Sequence, residues 1–197
     1  MEVMAFKNAI RLHMDSIQLF KTHSYPSAYF LSVLSQEEFG KATLLDDFVW
    51  HSTVEGRQGD EIEQDWLGQI YSHRTKQSLF VKNAMYELPI SFLKSIEEGD
   101  LEEGKQASVY VGFEKRREID SQFRTPFSVK KRKASAQITL VNDFLRVLSL
   151  GISKECYGWD NPAIEKMLNL EFFNRFSNLW TTQTPQAKRV IRRLMKA

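Results

Sequence analysis

SQEEFGKATLL, Ser35 to Leu45, interrupts a run that otherwise reads as a core helix. YFLSVL (29–34) precedes it and LLDDFVW (44–50) follows it, both apolar at helical spacing. Two carboxylates, a glycine and an ammonium sit in the middle. Wheel geometry puts Ala28, Leu31, Leu34, Ser35, Glu38, Lys41, Ala42, Leu45, Phe48 and Val49 on one face. The expectation is therefore that Glu38 and Lys41 project into the apolar stripe. Glu37 falls to a flank beside Phe30, Val33 and Leu44. A buried charge is costly unless paired and hydrogen-bonded, so these residues need partners. Gly40 weakens the helix by ~1 kcal/mol, a cost that close approach of a neighbouring helix would justify.

Working outward, the helical period persists. Ala5, Ala9, Leu12, Ser16 and Leu19 define a first helix over about 2–22, and Pro26 opens the second, which runs to about Trp50. STVEGRQGDE reads as a polar loop, plausible as a mobile element. A third helix is expected from about Asp65 to Leu88, ended by Pro89, then two short helices over about 90–112. GFEKRREIDSQFR (112–124) lacks a clean period and reads as loop or irregular insert; ASVYVGF (107–113) alone hints at a strand. Thr125-Pro126, Asn161-Pro162 and Thr184-Pro185 each pair a capping side chain with a proline at the first helical position, opening helices near 126–150, 162–180 and 185–196. The expected fold is all-α, a bundle of long antiparallel helices with short accessory helices. Residues 1–150 are expected to form the bundle and 151–197 a helical extension packed on it.

On the third helix Trp66, Ile70, His73, Gln77, Phe80 and Ala84 share a face, so His73 is expected to point inward with Arg74 and Lys76 beside it. With helices two and three antiparallel, Glu38 and His73 come to similar levels. Glu38, Lys41 and His73 then bring together a carboxylate, an ammonium and an imidazole, a group able to do acid–base chemistry or to hold a phosphate. The bland reading stands beside it, since a helical Glu–Lys pair is usually a salt bridge and an inward histidine usually a satisfied core residue. Lys131 and Arg132, with Arg74, Arg116 and Arg117, are candidate RNA contacts, with Phe113, Phe123 and Phe127 interleaved nearby. Lys188, Arg189, Arg192, Arg193 and Lys196 add a second basic cluster. Its alternative is a solvated helix face.

A net charge of +2 excludes an argument for nucleic acid from bulk charge, leaving only local clustering. The single cysteine, Cys156, forbids an internal disulfide framework. There is no 18-residue apolar span and no signal-peptide pattern, so a cytoplasmic protein with no membrane partner is expected. Glu-x-x-His pairs for a di-metal bundle are missing, and EEGK (102–105) lacks the rest of a phosphate loop. No metal and no cofactor is expected. Fourteen phenylalanines imply an aromatic interior or partner surface.

Three blocks in order carry a family resemblance: NAIRLHMDSIQLFKTHSYPSAYFLSVLSQEEFGKATLL with its EE-x-GK ending, YSHRTKQ (71–77), and KQASVYVGF (105–113) followed by TPFSVKKRKASAQITLVNDFL. Over about residues 5–148 the chain resembles AbiV-type abortive-infection proteins of the HEPN superfamily. The resemblance implies a dimeric helical bundle acting in antiphage defence, many superfamily members being metal-independent ribonucleases with a site composed across the dimer. It implies an RNA substrate, translational shutdown and a phage-encoded activator or target protein. The alternative is a non-catalytic binding protein that blocks translation or a phage process by contact, and a nucleotide-binding helical module is a third reading. One departure matters. The superfamily's usual ribonuclease motif, Arg then His after four to six residues, has no match, and Lys7 with His13 comes nearest. Catalysis must then rest on Glu38, Lys41, His73 and Lys76, with His73 as base or acid.

Overall fold

The computed structural model describes residues 1–53, 66, 68–82, 84, 86–113, 123–159 and 161–196. Two long helices open the chain, α1 (Glu2–Lys21) and α2 (Tyr25–Thr53). They form the most extensive helix pair, with Ser35 Oγ donating to the Ala9 carbonyl 2.7 Å away. The turn between them places His23 at φ 65, and α2 begins at Tyr25, one residue ahead of Pro26. Then come α3 (His73–Lys82), α4 (Ile90–Glu97) and α5 (Asp100–Ala107). Gly112–Phe113 pairs antiparallel with Phe123–Arg124, the small remnant of the strand signal in ASVYVGF. A 3-10 turn at Pro126–Ser128 leads into α6 (Lys131–Ser153), and α7 (Pro162–Met167), α8 (Leu170–Leu179) and α9 (Pro185–Leu194) follow. The architecture is all-α, as the period predicts.

One phenylalanine from each of four helices meets at the centre. Phe6 of α1 lies edge-on to Phe39 of α2 at 5.1 Å, and Phe144 of α6 contacts both Phe39 (5.3 Å) and Phe80 of α3 (4.6 Å). Such pairs add to the area they bury. Ile164, Phe173, Phe176, Ala187, Ile191 and Leu194 belong to the same hydrophobic cluster, so α7, α8 and α9 complete this core.

Side-chain caps open the last three helices. Asn161 accepts from the Ala163 amide (3.1 Å), Asn169 from Phe172 (2.9 Å) and Thr184 from Ala187 (3.2 Å). Asn169 splits the 162–180 segment into α7 and α8. Thr125 makes no such bond, and Pro126 opens only the 3-10 turn before α6. The expected third helix is broken: residues 68–71 form a helical turn, Ser72 is non-helical, and its hydroxyl accepts from the Thr75 amide at the head of α3. Tyr86 to Pro89 are not helical either. Residues 54–65, most of the STVEGRQGDE segment, and Arg116 and Arg117 lie outside the described residues.

Candidate functional site

Helix α2 is flanked by α1, α3 and α6, so its buried arc is wider than one stripe. Ser32, Val33, Gln36, Glu37, Phe39 and Thr43 are all buried. That corrects the wheel reading, which assumed a single covered face. Glu37, and not Glu38, is the inward carboxylate, at 3% exposure. Glu38 and Lys41 sit at the margin, their side chains 22% and 35% exposed, and face each other at 3.8 Å as a loose ion pair. Glu38 is not the carboxylate bonded to His73.

Glu37 ties three helices together. Its Oε1 accepts from Gln77 Nε2 and from Lys105 Nζ, both at 2.9 Å, and its Oε2 lies 2.8 Å from His73 Nδ1. Gln77 and His73 belong to α3 and Lys105 to α5. Lys105, itself buried, also pairs with Glu102 Oε2 at 2.7 Å. The two chemistry-bearing residues that periodicity missed are thus Glu37 and Lys105. Lys105 stands in the block KQASVYVGF that carries the family resemblance, the one sequence signal able to flag it.

This geometry assigns the imidazole tautomer. A carboxylate only accepts, so the 2.8 Å contact requires the proton on Nδ1. Lys105 Nζ also approaches Nδ1, at 3.2 Å, but a protonated Nδ1 has no lone pair to offer, so this contact is an apposition of two donors to the same carboxylate. Nε2 of the neutral ring then carries the free lone pair, on a side chain 49% exposed. His73 is half in water rather than core-directed, which suits a group that must meet a substrate.

Glu37, His73 and Glu102 bring their ligand atoms within 4.8 Å of one another, a spacing a metal ion could use. The Lys105 ammonium already bonds to both carboxylates and supplies the positive charge at that point. Burial alone would push the Glu102 carboxyl up, but the hydrogen bonds and charge of Lys105, with Gln106 and His73, hold it below its usual range.

Gly40 lets the site close. A β-carbon there would overlap the Lys76 carbonyl, so α2 and α3 pack backbone to backbone at this level. Lys76 is buried at this crossing, whereas Arg74 is exposed with its guanidinium beside Gly99. Lys131 and Arg132 are exposed at the start of α6, on a different helix from the Glu37 cluster. The structure therefore gathers His73, with Glu37 and Lys105, into one cluster, keeps Lys41 and Lys76 on the two helices that Gly40 joins, and leaves Lys131 and Arg132 apart.

His13 is a core histidine, fully buried and pushed down to about 4 by desolvation, against a hydrogen bond to Asn142. Its Nε2 meets Asn142 Oδ1 at 3.1 Å, and Asn142 Nδ2 donates to the Phe176 and Trp180 carbonyls at the end of α8. The nearest sequence stand-in for the Arg–His ribonuclease motif is thus structural.

Among the described residues no helix is long and apolar enough to cross a membrane. No curated protein and no solved structure matches the chain significantly. A family model does: AbiV, of the HEPN type, matches residues 3–146, which include Glu37, Gly40, His73 and Lys105. The three sequence blocks and the helical bundle agree with that match, and the chain belongs to the AbiV family of HEPN proteins.

Proposed function

We propose that this AbiV-family protein is an abortive-infection ribonuclease, cleaving RNA without a metal ion to halt translation in an infected cell. The observation that carries the reading is the hydrogen bond from His73 to Glu37. It fixes the tautomer and leaves Nε2 as the unprotonated nitrogen of a half-exposed ring, the arrangement general-base catalysis needs. His73 Nε2 takes the proton from a ribose 2′-hydroxyl, whose oxygen attacks the adjacent phosphorus. The bond to the 5′-oxygen breaks, that oxygen takes a proton from solvent, and the products are a 2′,3′-cyclic phosphate and a 5′-hydroxyl. Lys41 and Arg74 supply charge for the phosphate, and Lys105 orients Glu37 and His73. The protein acts as a cytoplasmic homodimer, held inactive until a phage-encoded component engages it.

The burial of Glu37 under three donors from two other helices favours a second reading. The cluster would then only fix helix register, and the protein would block translation or a phage process by binding alone. Incubating protein purified from phage-infected cells with a defined RNA in the presence of a chelator separates the two. Cyclic-phosphate ends formed by wild type and not by His73→Ala support the ribonuclease. Intact RNA, with His73→Ala still protecting cells against phage, supports the binder.

A further inference from the structure

The last helix has a charge distribution that the bundle does not use. After Glu171 the chain contains no Asp or Glu, yet it carries Arg175, Lys188, Arg189, Arg192, Arg193 and Lys196. The last five lie on or just beyond α9 and are exposed. Among the described residues none of the five has a carboxylate within ion-pair distance. Lys188, Arg192 and Lys196 form one row at four-residue steps, and Arg189 and Arg193 a second, with ~6 Å between members of a row. Like charges at this spacing repel. Arg192 and Arg193 complement the negative end of the helix, whereas Lys188 stands in its first turn, where a cation is unfavourable. This helix lies outside the segment that the family model matches.

The placement of α9 says what kind of partner fits. Its apolar residues Ala187, Ile191 and Leu194 are buried, so no apolar face is free to enter a bilayer, as an interfacial membrane helix requires. Apart from Met195, just past the helix end, the exposed face offers charge. Its first residues, Thr184 and Pro185, form one wall of a groove of about 660 Å³, with Asp100, Leu101, Arg132 and Lys133 among its other lining residues. Lys188 and Arg189 lie three and four residues after Pro185, hence on the same side of α9 as that wall. Asp100 and Leu101 belong to α5, the helix that carries Glu102 and Lys105. The groove thus joins the cationic face of α9, the basic start of α6 and the helix bearing the candidate site.

We propose that the cationic face of α9 and this groove form a track for the phosphate backbone of a single RNA strand. Lys188, Arg189, Arg192 and Arg193 hold the strand by charge, and Arg132 guides it along the groove towards α5. The track deepens the ribonuclease reading by giving the strand its path, but its binding half stands without cleavage.

The test uses the full chain carrying His73→Ala, so that cleavage cannot confuse binding. Fluorescence anisotropy with labelled oligouridylate, over a range of salt, compares this parent with the Lys188→Gln/Arg189→Gln/Arg192→Gln/Arg193→Gln variant. A control carries Lys154→Gln and Lys166→Gln, exposed lysines elsewhere. Neutralising four phosphate contacts lowers the slope of log affinity against log salt by about 2 to 3 and weakens binding at least tenfold at low salt, roughly, while the control binds as the parent does. An unchanged slope in the fourfold variant overturns the track, as does an equal loss in the control. Parent protein that ignores RNA but binds phosphatidylserine vesicles overturns it in favour of a membrane surface. An unaltered thermal midpoint establishes that the fourfold variant is folded, and the smaller Lys188→Gln/Arg192→Gln change gives half the slope effect. The ribonuclease reading fails separately, by intact RNA in phage-infected cells that express the wild-type chain.

Discussion

Nδ1 of His73 lies 2.8 Å from Oε2 of Glu37, a half-exposed imidazole held by a carboxylate that water barely reaches. The pair joins α3 to α2 and, through Lys105, to α5. Adjacent Glu38 is partly exposed and bound loosely to Lys41. Two neighbouring glutamates therefore make opposite predictions.

Replacing Glu37 by Ala leaves the buried Lys105 ammonium without one of its two carboxylates and Gln77 without its acceptor. Breaking a buried pair from one side costs ~3–5 kcal/mol. Replacing Glu38 by Ala removes only a marginal pair, worth under ~1 kcal/mol. Urea unfolding of the two variants checks this. Equal losses would return Glu38 to the interior and sink the assignment of Glu37.

Gly40→Ala pushes a β-carbon into the Lys76 backbone, which cannot swing aside as a side chain can. Overpacking of this kind costs ~1–3 kcal/mol or more, and here it also separates Glu37 from His73. Gly68 sits in the helical turn before α3 with nothing within 4 Å of a built β-carbon. Gly68→Ala should stabilise, by up to ~1 kcal/mol from helix propensity. Thermal unfolding of both reads the opposite signs, and a neutral Gly40→Ala would contradict the close crossing.

Two buried groups titrate in opposition. His13 is lowered from 6.5 to about 4 by burial, so the unfolded chain binds the extra proton between these values and stability falls as pH drops through the window. Asp143, whose Oδ2 accepts from the Thr184 amide and hydroxyl, is raised from 3.8 to about 6 by burial, against those bonds and the Arg146 charge. Its folded form holds the proton more tightly, so its contribution is present at low pH and lost as pH rises through about 6. Each is worth ~3 kcal/mol over its window, and between about pH 4 and 6 they nearly cancel. Asp143→Asn removes one side. The variant should lose ~2–3 kcal/mol more than wild type between pH 7 and 4, by urea unfolding at each pH. Parallel pH profiles would contradict the opposition.

The long helices were legible because apolar spacing and two of the three proline caps speak directly. Positions on α2 were not. A helix wrapped by three neighbours has no single apolar stripe, so the wheel favoured Glu38 where packing selects Glu37. His73 stood out as a polar residue in an apolar pattern, but the wheel turned it inward where the structure leaves it half exposed; Gly40 was legible as a helix-weakening residue whose cost close packing offsets. Lys105 was not, because α5 is eight residues long and its lysine sits in the charged run EEGK. Apart from the family-resemblance block it stands in, only its distant partner reveals it.

The central claim is that His73 does chemistry on RNA, and RNA integrity in phage-infected cells tests it most directly. Cells express wild type or His73→Ala at equal protein level. The account predicts discrete RNA fragments with wild type and none with the variant, which loses protection against phage while remaining folded. Intact RNA in wild-type cells whose growth or phage production is nonetheless blocked would contradict it.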